Sequence, residues 1–83
     1  IYRHDDIYVW PNPAREELFV DITDNKFAQQ AVIYDMLGRK VSANNLQPGQ
    51  NRLSLSGMSS GTYILNVLNA DKTVYRQKIQ VVK

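Results

Sequence analysis

Cysteine is absent from the 83 residues, which removes disulfides, thiolate metal sites and a cysteine nucleophile together and leaves the redox compartment undecided. Histidine occurs once, as His4, too few for the histidine-rich metal constellations. Apolar runs extend over only a few residues, against the roughly 20 a membrane-crossing helix requires, so direct membrane insertion is not expected. Charge of one sign is also lacking: 10 Lys and Arg face 8 Asp and Glu, interspersed from end to end. A net charge of +2 gives no field that argues for nucleic acid or an anionic membrane.

Motifs for chemistry are missing as well. There is no Gly-x-Ser-x-Gly elbow. Gly57 and Gly61 flank Ser59-Ser60, but the Gly-Lys-Ser/Thr ending of a phosphate loop does not follow. The carboxylate pairs Asp5-Asp6 and Glu16-Glu17 are adjacent and point to opposite sides of an extended chain. Asp21 and Asp24 lack the Asx/Gly pattern of a calcium loop. No catalytic residue, metal ligand or cofactor is assigned, and an enzyme is not expected.

What remains is β-type patterning. Leu18, Val20 and Ile22 alternate with Phe19 and Asp21, the period of a half-buried strand. Ile7 to Trp10 is a short run stopped by Pro11-Asn12-Pro13-Ala14; two prolines confine it to a sheet edge, where they blunt unwanted pairing or form a docking segment. Thr23 to Lys26 has turn composition, and Ala28 to Asp35 is a strand turning back through Met36-Leu37-Gly38-Arg39, with Gly38 supplying positive φ. Lys40 to Ser42 is a short return strand, followed by a long loop over residues 43–50. Asn51 to Leu55 sends Leu53 and Leu55 inward; Tyr63, Leu65 and Val67 share the inner face of the next strand. Asn69 to Lys72 closes a hairpin onto a last strand in which Gln77 points inward, so a bulge or a local edge position is expected there. Arg76, Lys78 and Lys83 form a small basic stripe near the end, which either serves a partner or deters aggregation at an edge. About seven short strands and no helical period read as an immunoglobulin-like antiparallel β-sandwich of two sheets.

Residues 55–63 are the corner between sheets. Leu55 ends one strand, Gly61 is expected to supply positive φ, and Tyr63 opens the next strand with a hydroxyl expected to bond upstream backbone. Leu55, Met58 and Tyr63 should hold the core, while Ser56, Gly57, Ser59 and Ser60 decorate a surface turn that packing alone leaves free. A chain starting at Ile1 with no leader pattern is expected to be part of a longer protein. Residues 1–6 would end its linker, and residues 7–83 form the domain.

The order of four features carries a resemblance: Trp10-Pro11-Asn12-Pro13-Ala14, Tyr34-Asp35-Met36-Leu37-Gly38-Arg39, the corner from Leu55 through Met58 and Gly61 to Tyr63, and Lys78-Ile79-Gln80-Val81-Val82-Lys83. Together they resemble the C-terminal sorting domain of type IX secretion cargo in Bacteroidota. Met58 stands where leucine is usual, and Gln80 and Val82 stand where many members carry further lysines or polar residues. The resemblance implies that Pro11, Asn12, Pro13, Leu55, Met58, Gly61, Tyr63 and the segment from Lys78 to Lys83 mark the chain as cargo, with Gly38 and Arg39 as a structural turn. It further implies recognition by the outer-membrane translocon, passage through the periplasm to the cell surface or beyond, and, in many members, cleavage by a sortase-like peptidase that attaches the parent to the surface; other members keep the domain within the surface machinery. Removal of residues 81–83 is then expected to block export without abolishing the fold. The alternatives are an accessory sandwich binding carbohydrate or protein through Tyr2, Tyr8 or Trp10, and a spacer; an edge-strand dimer is open to any of these.

Overall fold

The computed structural model describes residues 7–22 and 30–83. The linker assigned to residues 1–6, the turn at Thr23 to Lys26 and the strand start at Ala28 lie outside the described residues. Among the described residues the order is β1 (Ile7–Trp10), β2 (Glu17–Ile22), β3 (Gln30–Asp35), β4 (Lys40–Asn45), β5 (Gly49–Ser54), β6 (Gly61–Asn69) and β7 (Lys72–Val81). One sheet has the order β1-β2-β5 and the other β4-β3-β6-β7, with every neighbouring pair antiparallel. Strands two and three, four and five, and five and six each lie in different sheets, the hallmark of an immunoglobulin-like sandwich rather than a meander.

Alternation explains which faces meet. Leu18, Val20 and Ile22 of β2, with Ile7 of β1 and Leu53 of β5, face Ala31, Ile33, Leu65, Val67, Ile79 and Val81 of the larger sheet. Each Leu, Ile and Val among them contributes about 1.5–3 kcal/mol on burial, before the entropy of ordering the chain is subtracted. Strand β3 is apolar on both sides: Val32 is buried although its neighbours Ala31 and Ile33 face the core, as fits a strand inside a sheet.

The turns follow local chemistry. Between β3 and β4 the Gly38 N–H donates to the Asp35 carbonyl at 3.0 Å, and Gly38 takes φ 86°, closing the turn as its glycine predicts. Between β6 and β7 both Ala70 (φ 52°) and Asp71 (φ 69°) lie in the left-handed region, which matches the right-handed strand twist in a two-residue hairpin. The long loop expected over residues 43–50 is mostly strand, because β4 continues to Asn45 and β5 starts at Gly49. Asn51 makes the short connection feasible: its side chain accepts from the Gln47 N–H (2.9 Å) and donates to the Gln47 carbonyl (2.9 Å), replacing strand bonds within the bend.

The bulge also moves. Gln77 pairs in register with Leu65, and the irregularity falls where Val67 opposes Tyr75 and Leu68 opposes Thr73, leaving Val74 as the extra residue. Gln77 does face inward, and the Tyr75 hydroxyl donates to its side-chain oxygen. That bond satisfies a polar group a bulge would otherwise have had to turn outward. The expected edge position holds, since β7 borders the four-stranded sheet.

Candidate recognition surface

The corner is built from two separate devices. The Met58 N–H donates to the Leu55 carbonyl at 3.0 Å, and Gly57, with φ 85°, occupies the third position of this four-residue turn. That position requires positive φ in a type II turn. Gly57 therefore takes the role expected of Gly61, which instead opens β6 in ordinary strand pairing with Val81. A methyl group on Gly61 would meet only the Tyr63 ring at 3.9 Å. The second device is the Tyr63 hydroxyl, which donates to the Ser59 carbonyl at 2.7 Å. A tyrosine near the start of the sixth strand, bonded a few residues upstream, is the tyrosine corner of such sandwiches.

The front segment reaches the tail across the fold. Behind β1, the Asn12 side chain acts as a strand residue toward the edge of β7: its amide donates to the Lys78 carbonyl (3.2 Å) and its oxygen accepts from the Gln80 N–H (2.9 Å). Two residues on, the Ala14 N–H donates to the Gln80 carbonyl and the Val82 N–H to the Ala14 carbonyl, both at 2.8 Å. Ala14 and Val81 form a parallel bridge. Pro11 and Pro13, without N–H groups, cannot contribute such bonds, so Asn12 and Ala14 supply them. Each neutral bond contributes about 1 kcal/mol net.

Lys83 then joins the tail to the corner. Its N–H donates to the Ser60 hydroxyl at 2.9 Å, and its ammonium donates to the Leu55 carbonyl at 3.0 Å and lies 3.4 Å from a Glu16 carboxylate oxygen. The Glu16 carbonyl in turn accepts from the Leu55 N–H at 2.9 Å. Front, corner and tail thus meet at one place. The surface Lys83–Glu16 pair adds little by itself; the bond to a backbone carbonyl fixes its position.

Of the residues singled out in the sequence, Leu55, Tyr63, Ile79 and Val81 are buried and Met58 packs partly against the core, while Pro11, Asn12, Pro13, Gly61, Lys78, Gln80, Val82 and Lys83 are exposed. Two expectations change. Ser60 is not a free turn residue, because it receives the Lys83 N–H; Ser59 is exposed as expected and holds Tyr63 through its backbone carbonyl alone. Removal of residues 81–83 would also take the buried Val81 from the core, so that truncation is not neutral to the fold. Missing from the sequence reading were the contact of Glu16 with Lys83 and the burial of Ala14, 0% exposed. A small residue directly after Pro-Asn-Pro was the available signal for the latter.

Gly38 and Arg39 lie in the β3–β4 turn. One Asp35 carboxylate oxygen accepts from the Leu37 N–H (2.9 Å) and the Arg39 N–H (3.0 Å), while the other meets Arg39 Nε at 2.9 Å. The Arg39 N–H, reinforced by the guanidinium and the Leu37 N–H and partly opposed by desolvation, holds the Asp35 carboxyl below its ordinary pKa. A groove lined by Asp35, Arg39, Met58, Ser59 and Tyr63 places this turn beside the corner.

These features define an immunoglobulin-like sandwich whose last strand is tied into its own front segment and corner. The model of the secretion system C-terminal sorting domain matches residues 8–82, and the chain belongs to this family, the sorting domains of type IX secretion. Beta-agarase A from Zobellia galactanivorans is similar, 29% identical over 66 residues that cover 80% of this chain and 12% of the agarase. Membership places the chain in a sorting-signal family rather than a catalytic one. It implies interaction with the type IX machinery and export of the parent protein to the cell surface or extracellular space.

Proposed function

We propose that the machinery reads the domain as a folded label through the junction of front, corner and tail. The observation that carries this reading is Lys83, whose two nitrogens contact the corner while the adjoining strand is bound by Asn12 and Ala14. A folded label of this kind displays the exposed Pro11, Pro13, Gly61, Lys78, Gln80, Val82 and Lys83, and Leu55, Met58 and Tyr63 hold the junction in shape. The outer-membrane translocon is the receptor, met from the periplasm. A sortase-like peptidase then separates the parent from the domain and attaches the parent to the surface.

The test is a reporter fused to residues 1–83 in a host with the secretion system. Deleting Val82 and Lys83, which spares the buried Val81, is expected to leave the folded reporter in the periplasm. Normal surface delivery by that truncated, folded fusion would defeat the proposal. Attachment and cleavage have their own readout, the size and surface retention of the reporter.

One observation favours a second reading, an accessory sandwich that binds carbohydrate or protein. On the exterior of the three-stranded sheet Trp10 stacks on Phe19 with ring centroids 5.4 Å apart, and Tyr8 is 51% exposed. Aromatic faces of this kind suit a sugar ring. Retained export but lost ligand binding in Trp10→Ala would favour it.

A further inference from the structure

The exterior of the four-stranded sheet carries a second surface that includes none of Pro11, Asn12, Leu55 or Lys83. Strand register places its side chains in rows. Lys40 opposes Tyr34, Tyr34 opposes Ile64, and Ile64 opposes Lys78, giving an apolar centre with a lysine at each end. In the next row Ala43, Val32, Asn66 and Arg76 follow one another, and Val32 is buried as the floor. Between the rows and the β3–β4 turn runs a groove of about 340 Å3 lined by Tyr34, Asp35, Met36, Gly38, Ile64, Asn66 and Arg76. Met36 is 60% exposed and Leu37, at the apex, 80%.

Charge on this face is one-sided. Neither row contains a carboxylate, and Asp35 at the groove's end is already engaged by Arg39 and two backbone N–H groups. Arg76 is oriented by its Nε bond to the Asn66 side-chain oxygen at 3.1 Å, which leaves the two terminal nitrogens of the guanidinium fork for a carboxylate. The other sheet differs: Glu17 meets Arg52 at 3.3 Å, and Asp21 lies on the same strand. A concave apolar trough rimmed by cations fits a side chain flanked by acids.

The geometry points to a docking surface on the four-stranded sheet for an acidic protein segment. One apolar side chain of that segment lies between Tyr34, Met36 and Ile64. Its neighbouring carboxylates meet Arg76, Lys78 and Lys40. This surface shares Lys78 with the junction that carries the sorting proposal but is otherwise separate from it, so the test is made on the isolated 83-residue chain without any export readout.

The probe is the synthetic peptide acetyl-Glu-Glu-Leu-Glu-amide, titrated into 15N-labelled protein. Chemical shift changes are expected at Tyr34, Ile64, Asn66 and Arg76, weakening as salt is raised. Arg76→Glu should lower affinity at least about tenfold, the change expected when an attractive charge pair becomes repulsive. Arg52→Glu on the other sheet should leave it unchanged. If Arg76→Glu disturbs the folded spectrum, Lys78→Glu takes its place with the same expectation. Equal shifts with acetyl-Lys-Lys-Leu-Lys-amide, shifts scattered over both sheets, or none at millimolar peptide would each overturn the proposal. So would binding to phosphatidylglycerol vesicles with no peptide response, since the surface would then serve lipid.

Discussion

The two halves of β7 behave as different materials. From Lys72 to Gln77 the strand is bulged at Val74, and none of its side chains is fully buried. From Lys78 onward Ile79 and Val81 are buried, β6 pairs along one edge, and Asn12 and Ala14 occupy the other. A terminal strand is ordinarily the first part of a domain to fray. Here the terminal half is the better held, because partners from residues far upstream close its free edge. A sheet edge left open invites pairing with another chain, and this closure covers that edge along the second half of β7.

The strongest way to break the contrast is to remove a core side chain from each half. Ile79→Ala deletes a 0% exposed residue and is expected to cost about 2–5 kcal/mol. Val74→Ala, at the half-buried bulge, should cost about 1 kcal/mol or less by comparison. Urea denaturation of the two variants measures both. Equal losses would show that the halves are not distinct.

Asn12→Ala comes next, since it deletes two bonds to the β7 backbone worth together about 1–2 kcal/mol. Hydrogen exchange should speed up at the Gln80 amide, with little change at Arg76. Tyr63→Phe keeps the ring and loses only the bond to Ser59, so about 1 kcal/mol is expected. Its thermal midpoint should fall accordingly while the denaturant slope stays constant. Smallest of all is Lys83→Ala, which removes an ammonium partly open to water and should change stability by about 0–1 kcal/mol. A large loss there would mean that the corner depends on the tail for its fold as well as its shape.

Much of the architecture was legible because it is local. The alternation of Leu18, Val20 and Ile22 names an inner face with no knowledge of what lies opposite, and Asn69 to Lys72 reads as a hairpin from four neighbours. Tyr63 was legible as a corner residue, since its partner Ser59 is four positions away. The choice between Gly57 and Gly61 was not: both are turn-compatible, and only the bond from Met58 to Leu55 fixes which one bears positive φ. Gln77 left a bulge and an edge position both open, and the edge is what β7 supplies. A polar residue facing inward signals a bulge only if it lacks a partner, and Tyr75 provides one.

The sequence by itself determined the strands, their inner faces, the corner tyrosine and the four motifs in order, because each is written in spacings of a few residues. Tertiary structure decided that Pro11-Asn12-Pro13-Ala14, Leu55 to Tyr63 and Lys78 to Lys83 form one junction. Asn12 and Lys78 stand 66 positions apart, and a backbone edge offers the same donors and acceptors whatever its side chains. No pattern in the chain announces which asparagine will fill them. That pairing exists only once two sheets have closed on a common core and brought the front of the domain beside its end.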